Sequence, residues 1–257
     1  MLPAMTHHLL IVTGSSRGLG AALVRQRLLP GWRILGLARQ ANAQLQAQAD
    51  AAGLPLLQWT LDLADPLPAA QRLQDWLQGL DSAALQSATL INNAGVVGLP
   101  APLQQVPLAT LSGALRAGLE ATLLLSAAFL AATEGWSAPR RLMNISSGLG
   151  RRAMAGSATY CAAKAGIDHL SRALALEQAA LGGRGARIES IAPGVIDTDM
   201  QAELRGADAR AFPERERFAA LKSAGQLMSA DDCAARLLRH LDSAQFGRET
   251  ISDIREI

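Results

Sequence analysis

Short apolar runs alternate with longer segments whose apolar residues recur at helical spacing, from one end of the chain to the other. The runs at 9–13, 33–37, 56–61, 89–92, 141–145, 187–191 and 250–253 read as strands. Between them, 19–29, 68–80, 108–133, 157–180 and 230–241 carry the spacing of helices. Strand–helix alternation of this kind predicts βαβ units. The expected fold is therefore α/β: a doubly wound, mostly parallel sheet with helices on both faces. No repeat, linker or low-complexity tract interrupts it, so residues 1–257 are expected to form a single domain. One polar, proline-containing stretch, 201–229, breaks the rhythm. It is too long for a plain connection and is expected to be a lid over a site.

Composition narrows the function. A hydrophobic content of 49% supplies a large core, and a net charge of +2 with both signs interspersed gives no footprint for nucleic acid or an anionic membrane. The longest apolar stretch, 121–132, is short for a bilayer and flanked by Glu120 and Glu134, so it reads as a buried helix. The first ten residues lack a basic leader region, and a cytoplasmic location is expected. Cys161 and Cys233 suit a reducing compartment, where each acts as a small buried hydrophobe. His7, His8, His169 and His240 show no metal-ligand spacing, and His7 and His8 read as a polar lead-in to the first strand.

The chemistry is concentrated elsewhere. Tyr160 is the only tyrosine, and Lys164, one of only two lysines, follows four residues later. That spacing puts both on one helix face. An ammonium there favours the phenolate and is expected to lower the tyrosine pKa toward a range useful for general acid–base work. Directly after the first strand, Thr13-Gly14-Ser15-Ser16-Arg17-Gly18-Leu19-Gly20 opens a helix. Such glycines permit a sharp turn and close approach to a pyrophosphate, which the helix N-terminus then attracts. A glycine-rich turn without a ligand is the plainer alternative. NAD-binding domains place an acid about twenty residues beyond their glycines. Here no Asp or Glu occurs between Gly20 and Asp50, and the second strand ends at Arg39 instead. Arg39 and Arg17 are suited to a 2′-phosphate, so NADP(H) is the expected cofactor; either arginine alone could equally be solvated surface.

Together these residues resemble the short-chain dehydrogenase/reductase family over essentially the whole chain. The resemblance rests on Thr13 to Gly20, Asp62, Asn92-Asn93-Ala94-Gly95, Asn144-Ile145-Ser146-Ser147, Tyr160 to Lys164, and Pro193-Gly194-Val195-Ile196-Asp197-Thr198. Asp197 to Gln201, with Arg217-Phe218 to Lys222 downstream, looks most like the sepiapterin reductase and benzil reductase branch. The resemblance implies a seven-stranded Rossmann-type sheet and an oxidoreductase. Ser147 would orient a carbonyl, Tyr160 would donate the proton, and Lys164 would tune it and bind ribose. Asp62 and Leu63 would contact the adenine, and Gly14, Ser16, Gly18, Leu19, Gly20, Asn92, Ala94, Gly95 and Pro193 would line the cofactor. Ile196 and Thr198 would lie near the nicotinamide and phosphates. Ser147 precedes Tyr160 by thirteen residues, and Ser146 would point the other way.

One position departs from the family pattern. Gly118 stands where the family usually has an asparagine whose backbone helps to hold a water on the lysine; it could serve a local bend, or weaken the proton relay. The implied substrate is a small-molecule ketone or diketone, with Met200 and, by resemblance to sepiapterin reductases, Asp253 as candidate contacts. Met200, Leu204, Phe212, Phe218, Leu221 and Leu227 would either meet an apolar substrate or anchor the lid. A non-catalytic NADP(H)-binding regulator and an alcohol dehydrogenase working oxidatively are the alternatives. The resemblance also implies a homodimer or homotetramer formed through the long helices 108–133 and 157–180.

Overall fold

Strands built from unbroken apolar runs need cover on both faces, and the topology supplies it. The computed structural model describes residues 7–257; residues 1–6, part of the stretch read for a leader, lie outside it. In chain order the elements are β1 (His7–Thr13), α1 (Gly18–Arg27), β2 (Trp32–Ala38), α2 (Ala43–Ala52), β3 (Leu56–Thr60), α3 (Pro66–Gln78), β4 (Leu85–Asn92) and α4 (Leu108–Leu115). They continue as α5 (Ala121–Thr133), β5 (Arg140–Ile145), α6 (Ala158–Ala180), β6 (Arg187–Ala192), α7 (Asp199–Gly206), α8 (Arg215–Ser223), α9 (Ala230–Asp242) and β7 (Ile251–Asp253). The seven strands form one parallel sheet in the order β3-β2-β1-β4-β5-β6-β7. The order reverses between β1 and β4, which opens a crevice at the carboxyl ends of those strands.

Alternation along β1 shows the layering. Leu10 and Val12 join Leu23 of α1, Leu45 of α2 and Leu237 of α9 on one face. Leu9 and Ile11 join Leu73 of α3 and Leu125 and Phe129 of α5 on the other. His7 and His8 belong to the strand itself rather than leading into it, and His8 Nδ1 lies 2.8 Å from the Ser87 hydroxyl.

The segment 108–133, expected as one uninterrupted helix, contains a π turn at Arg116–Glu120. There the Ala121 N–H donates to the Arg116 carbonyl, five residues back. Gly118 lies buried at its centre, and a Cβ added there would meet the Ala163 methyl at 3.4 Å. The local bend expected at this glycine is therefore present, pressed against the helix that carries Lys164. By length and mean hydropathy (1.5), Leu108–Thr133 would suffice to cross a bilayer, but Leu125, Ala128 and Phe129 pack into the core beside α3.

Helix α2 has no apolar stripe and escaped the sequence pattern. Its ends carry it: the Asn42 side chain accepts from the Leu45 N–H at 2.9 Å, and Gly53 closes it at φ +64°. The stretch 201–229 is also more ordered than expected, holding most of α7 and all of α8. Its Leu204, Phe212 and Phe218 form a small core with Val97, and Met200 and Leu221 pack against that core. These side chains anchor the segment to itself and to the body.

Polar groups lock the middle of the sheet. Asn92 Nδ2 donates to the Ser126 hydroxyl at 3.0 Å and to Asn144 Oδ1 at 2.9 Å, and Asn144 Nδ2 donates to the Ser171 hydroxyl at 2.8 Å. The network ties β4 and β5 to α5 and α6 beneath the crevice, and all four residues are buried. Asn144→Ala leaves Asn92 and Ser171 without these partners, so it should cost about 2 kcal/mol. Urea unfolding checks this; an unchanged midpoint would mean the network contributes nothing.

Candidate active site

The site begins with a backbone clamp. The Asn93 and Ala94 N–H groups both donate to Thr13 Oγ1, at 3.0 and 2.9 Å, and Asn93 Nδ2 donates to the Thr13 carbonyl at 2.9 Å. Thr13 and Asn93 thus join the ends of β1 and β4, a positioning role the sequence reading quoted but did not assign. Gly14 follows at φ +67°, and a Cβ on it would come within 3.0 Å of the Ala94 Cα. A Cβ on Gly20 would fall 2.1 Å from the Gly14 carbonyl oxygen, so α1 can sit on the turn only with glycine there.

The first backbone bond of α1 runs from the Ala21 N–H to the Arg17 carbonyl, and no side chain caps the helix. The N–H groups ahead of that bond face outward as a ready anion cradle. Thr198 closes the cradle from the other side, its methyl 3.4 Å from where a Cβ on Gly18 would lie. The turn and helix start thus fit a dinucleotide pyrophosphate. Pro193 and Ile196 are buried behind it, and Ile196 pairs with Met228 at the base of the lid segment.

At the far end of the crevice stands α6. Lys164 is only 4% exposed, and its Nζ donates to the Ile145 carbonyl at 2.6 Å. The same nitrogen lies 5.6 Å from the centre of the Tyr160 ring and 3.5 Å from where a Cβ on Gly95 would be. Ser147 accepts from the Leu149 N–H at 3.2 Å and shares a side-chain hydrogen bond with the half-buried Tyr160. Ser147, Tyr160, Lys164 and Gly95 therefore converge. Ser146 is buried, and its hydroxyl makes no hydrogen bond to this group.

The electrostatics differ from the expectation in one respect. Burial pushes the Tyr160 phenol up to about 12, against the hydrogen bond with Ser147. Burial also pushes the Lys164 ammonium down to about 8, opposed by the charge of Asp168. Desolvation disfavours both charged forms, so the chain's own atoms hold the phenol protonated rather than lowering its pKa.

Several residues take other roles than expected. Asn92 is enclosed in the polar network under the sheet and does not line the crevice with its side chain. Leu63 is buried in the core beside Trp59 and Leu73, so only its backbone is left for an adenine. Asp62 turns its carboxylate onto the Ala64 N–H at 3.0 Å. Met200 packs at the edge of the lid core. Both oxygens of Asp253 accept from the Arg255 guanidinium, at 2.8 and 2.6 Å, and this pairing holds its carboxyl below the usual range. Arg17 spans to the start of α7, its Nη1 2.7 Å from Asp199 Oδ2. Arg39 is exposed at the end of β2.

The model of the short chain dehydrogenase family matches residues 8–209. A benzil reductase ((S)-benzoin forming) of Bacillus subtilis (strain 168) is 34% identical over 249 residues, covering 96% of this chain and 98% of that protein. A sepiapterin reductase of Meriones unguiculatus is 32% identical over 247 residues, covering 92% of each chain. The structure of a putative NAD(P) dependent gluconate 5-dehydrogenase from Beutenbergia cavernae, with NADP bound at low occupancy, superposes with a TM-score of 0.81 at 26% identity. That likeness covers 98% of this chain and 96% of the other. Matched along nearly its whole length, this chain belongs to the short-chain dehydrogenase/reductase family of oxidoreductases acting on hydroxyl and carbonyl groups, with benzil and sepiapterin reductases among its relatives.

Proposed function

We propose that this chain is an NADPH-dependent reductase of ketones or diketones, benzil- or sepiapterin-like in character. The observation that carries the reading is the meeting of Ser147, Tyr160 and Lys164 at one end of a crevice whose other end is a glycine-lined anion cradle. A bound nicotinamide dinucleotide supplies the hydride. Ser147 accepts a backbone N–H, and its hydroxyl hydrogen, engaged with Tyr160 in the unliganded site, can turn to hold the substrate carbonyl oxygen. Tyr160, kept protonated by burial, gives its proton to that oxygen as the carbon is reduced. Lys164 steadies the phenolate left behind, and its remaining ammonium hydrogens suit ribose hydroxyls. Arg39 is the better candidate for the 2′-phosphate, because Arg17 is engaged by Asp199.

Self-association fits the surface. Leu108 is 83% and Leu176 76% exposed. An apolar groove lined by Leu115, Leu119, Leu123, Gly166 and Leu170 runs along the π turn and α6. A homodimer or homotetramer would cover these side chains.

The purified enzyme should oxidise NADPH in the presence of vicinal diketones or sepiapterin, and Tyr160→Phe should lower kcat by about a hundredfold or more. Retention of most of the turnover by that variant would refute the assignment of the proton donor. Loss of one charge-assisted contact in Arg39→Ala should raise KM for NADPH by about tenfold and leave KM for NADH in place; equal effects on both would remove Arg39 from the phosphate site. Sedimentation equilibrium should return a multiple of the 27.0 kDa chain mass, and a monomer at working concentration would contradict the proposed assembly.

A further inference from the structure

Asp168 is a buried carboxylate that the reaction as described does not use. It lies four residues beyond Lys164, which itself lies four beyond Tyr160, so the three form one stripe along α6. Only 2% of Asp168 is exposed. Its Oδ1 accepts from the Ser190 hydroxyl of β6 at 2.7 Å, while Oδ2 is buried without a hydrogen-bond partner. Arg151, on the turn that follows Ser147, brings its Nε to 3.8 Å from that oxygen and donates from Nη2 to the Ser252 carbonyl at 2.9 Å. A Cβ on Gly150 would fall 2.7 Å from Oδ2 and 3.0 Å from the Lys164 carbonyl oxygen. The turn after Ser147 is thus pressed between Asp168 and the backbone of Lys164, a fit only glycine permits.

A carboxylate buried with a single hydrogen bond is an expensive choice of side chain. Holding Ser190 alone would not require it, since an asparagine offers the same acceptor without a charge. Two cations are within its electrostatic reach: Arg151, 3.8 Å from Oδ2, and Lys164, one turn back along α6. The Lys164 ammonium meets Tyr160 from its own helix, the Ile145 carbonyl from β5 and Gly95 from the loop after β4, and the charge of Asp168 acts on it from one turn further along α6. Arg151 approaches from the turn after Ser147, on the far side of Asp168. Burial works against the ammonium, and Asp168 works for it. We propose that Asp168 is a positioning residue for the reaction: its buried carboxylate keeps Lys164 charged and fixes the turn that carries Ser147. This rests on the reading of Lys164 as the partner of the proton donor.

The chain contains lysine at 164 and 222 alone, so protein labelled with carbon-13 at lysine Cε gives two resonances. Lys222, paired with Asp197 at the lid surface, serves as the internal reference. Asp168→Asn keeps the shape and the acceptor for Ser190 but removes the charge. The midpoint of Lys164, near pH 8 in the unaltered protein, should fall by about one pH unit while that of Lys222 stays in place. In turnover the alkaline limb should move with it, so that kcat falls about fivefold at pH 8 but less than about twofold at pH 6. KM for the ketone should be unchanged, whereas a purely structural role would lower turnover equally at every pH. If Asp168→Asn does not fold, Asp168→Ser removes the same charge with a smaller polar side chain, and the Lys164 midpoint should again fall. An unmoved midpoint in whichever variant folds overturns the proposal. The titration needs no turnover, so an enzyme that reduces no carbonyl compound would sink the functional reading while the coupling between Asp168 and Lys164 is still measured.

Discussion

Keeping a primary amine almost out of water is the constraint around which the α6 end of the crevice is built. Burial pushes the Lys164 ammonium down to about 8, well below an ordinary lysine. Four elements share the task of holding it. Strand β5 offers the Ile145 carbonyl, α6 adds Asp168, and the loop after β4 passes so close at Gly95 that a larger residue would reach the ammonium. The π turn lays Gly118 against Ala163, the residue just before the lysine. The strands beneath must then stay in register, and the network of Asn92, Asn144, Ser126 and Ser171 is what pins them.

The cofactor end obeys a different rule. Its shape is set by backbone meeting backbone, with Gly14 against Ala94 and Gly20 against Gly14, so distances there cannot relax through side-chain rotation. The third wall, formed by α7 and α8, is held differently. Asp197 holds both of its helices, pairing with Arg205 of α7 and Lys222 of α8, and Asp199 reaches across to Arg17. All three bonds are at least partly exposed, and such pairs contribute at most about 1 kcal/mol each. The wall therefore relies on its small apolar core with Val97 more than on these ion pairs.

Much of this was legible in the sequence because periodicity is a property of single elements. The seven apolar runs became seven strands, each within a few residues of its expected ends, and the spacing from Tyr160 to Lys164 put both on one helix face. What escaped depends on neighbours. The motif around Asn92 identified the residue but not which side of the sheet its amide would face. Leu63 is buried because α3 packs over it. The phenol of Tyr160 rises rather than falls because desolvation is set by the whole surrounding shell, whereas the spacing conveyed only the presence of a lysine. The apolar residues of 201–229 admitted two readings, and folding resolved most of them into the lid's own core around Phe212 and Phe218. Helix α2 carried only its end signals, Asn42 and Gly53, without a stripe between them.

The π turn at Arg116–Glu120 carries a consequence for how this protein can vary. An α-helix advances about 100° per residue, so one residue looped into a wider turn rotates everything on one side of it relative to the other. Downstream, Leu125 and Phe129 face the core; upstream, Leu108 and Leu115 are left outside. Removing a single residue here would restore a smooth helix but swing the upstream leucines round the axis. It would also draw Gly118 out of line with Ala163. Insertions and deletions are thus disfavoured in a helical segment that is half exposed, and its length is tied to the buried lysine of a different helix.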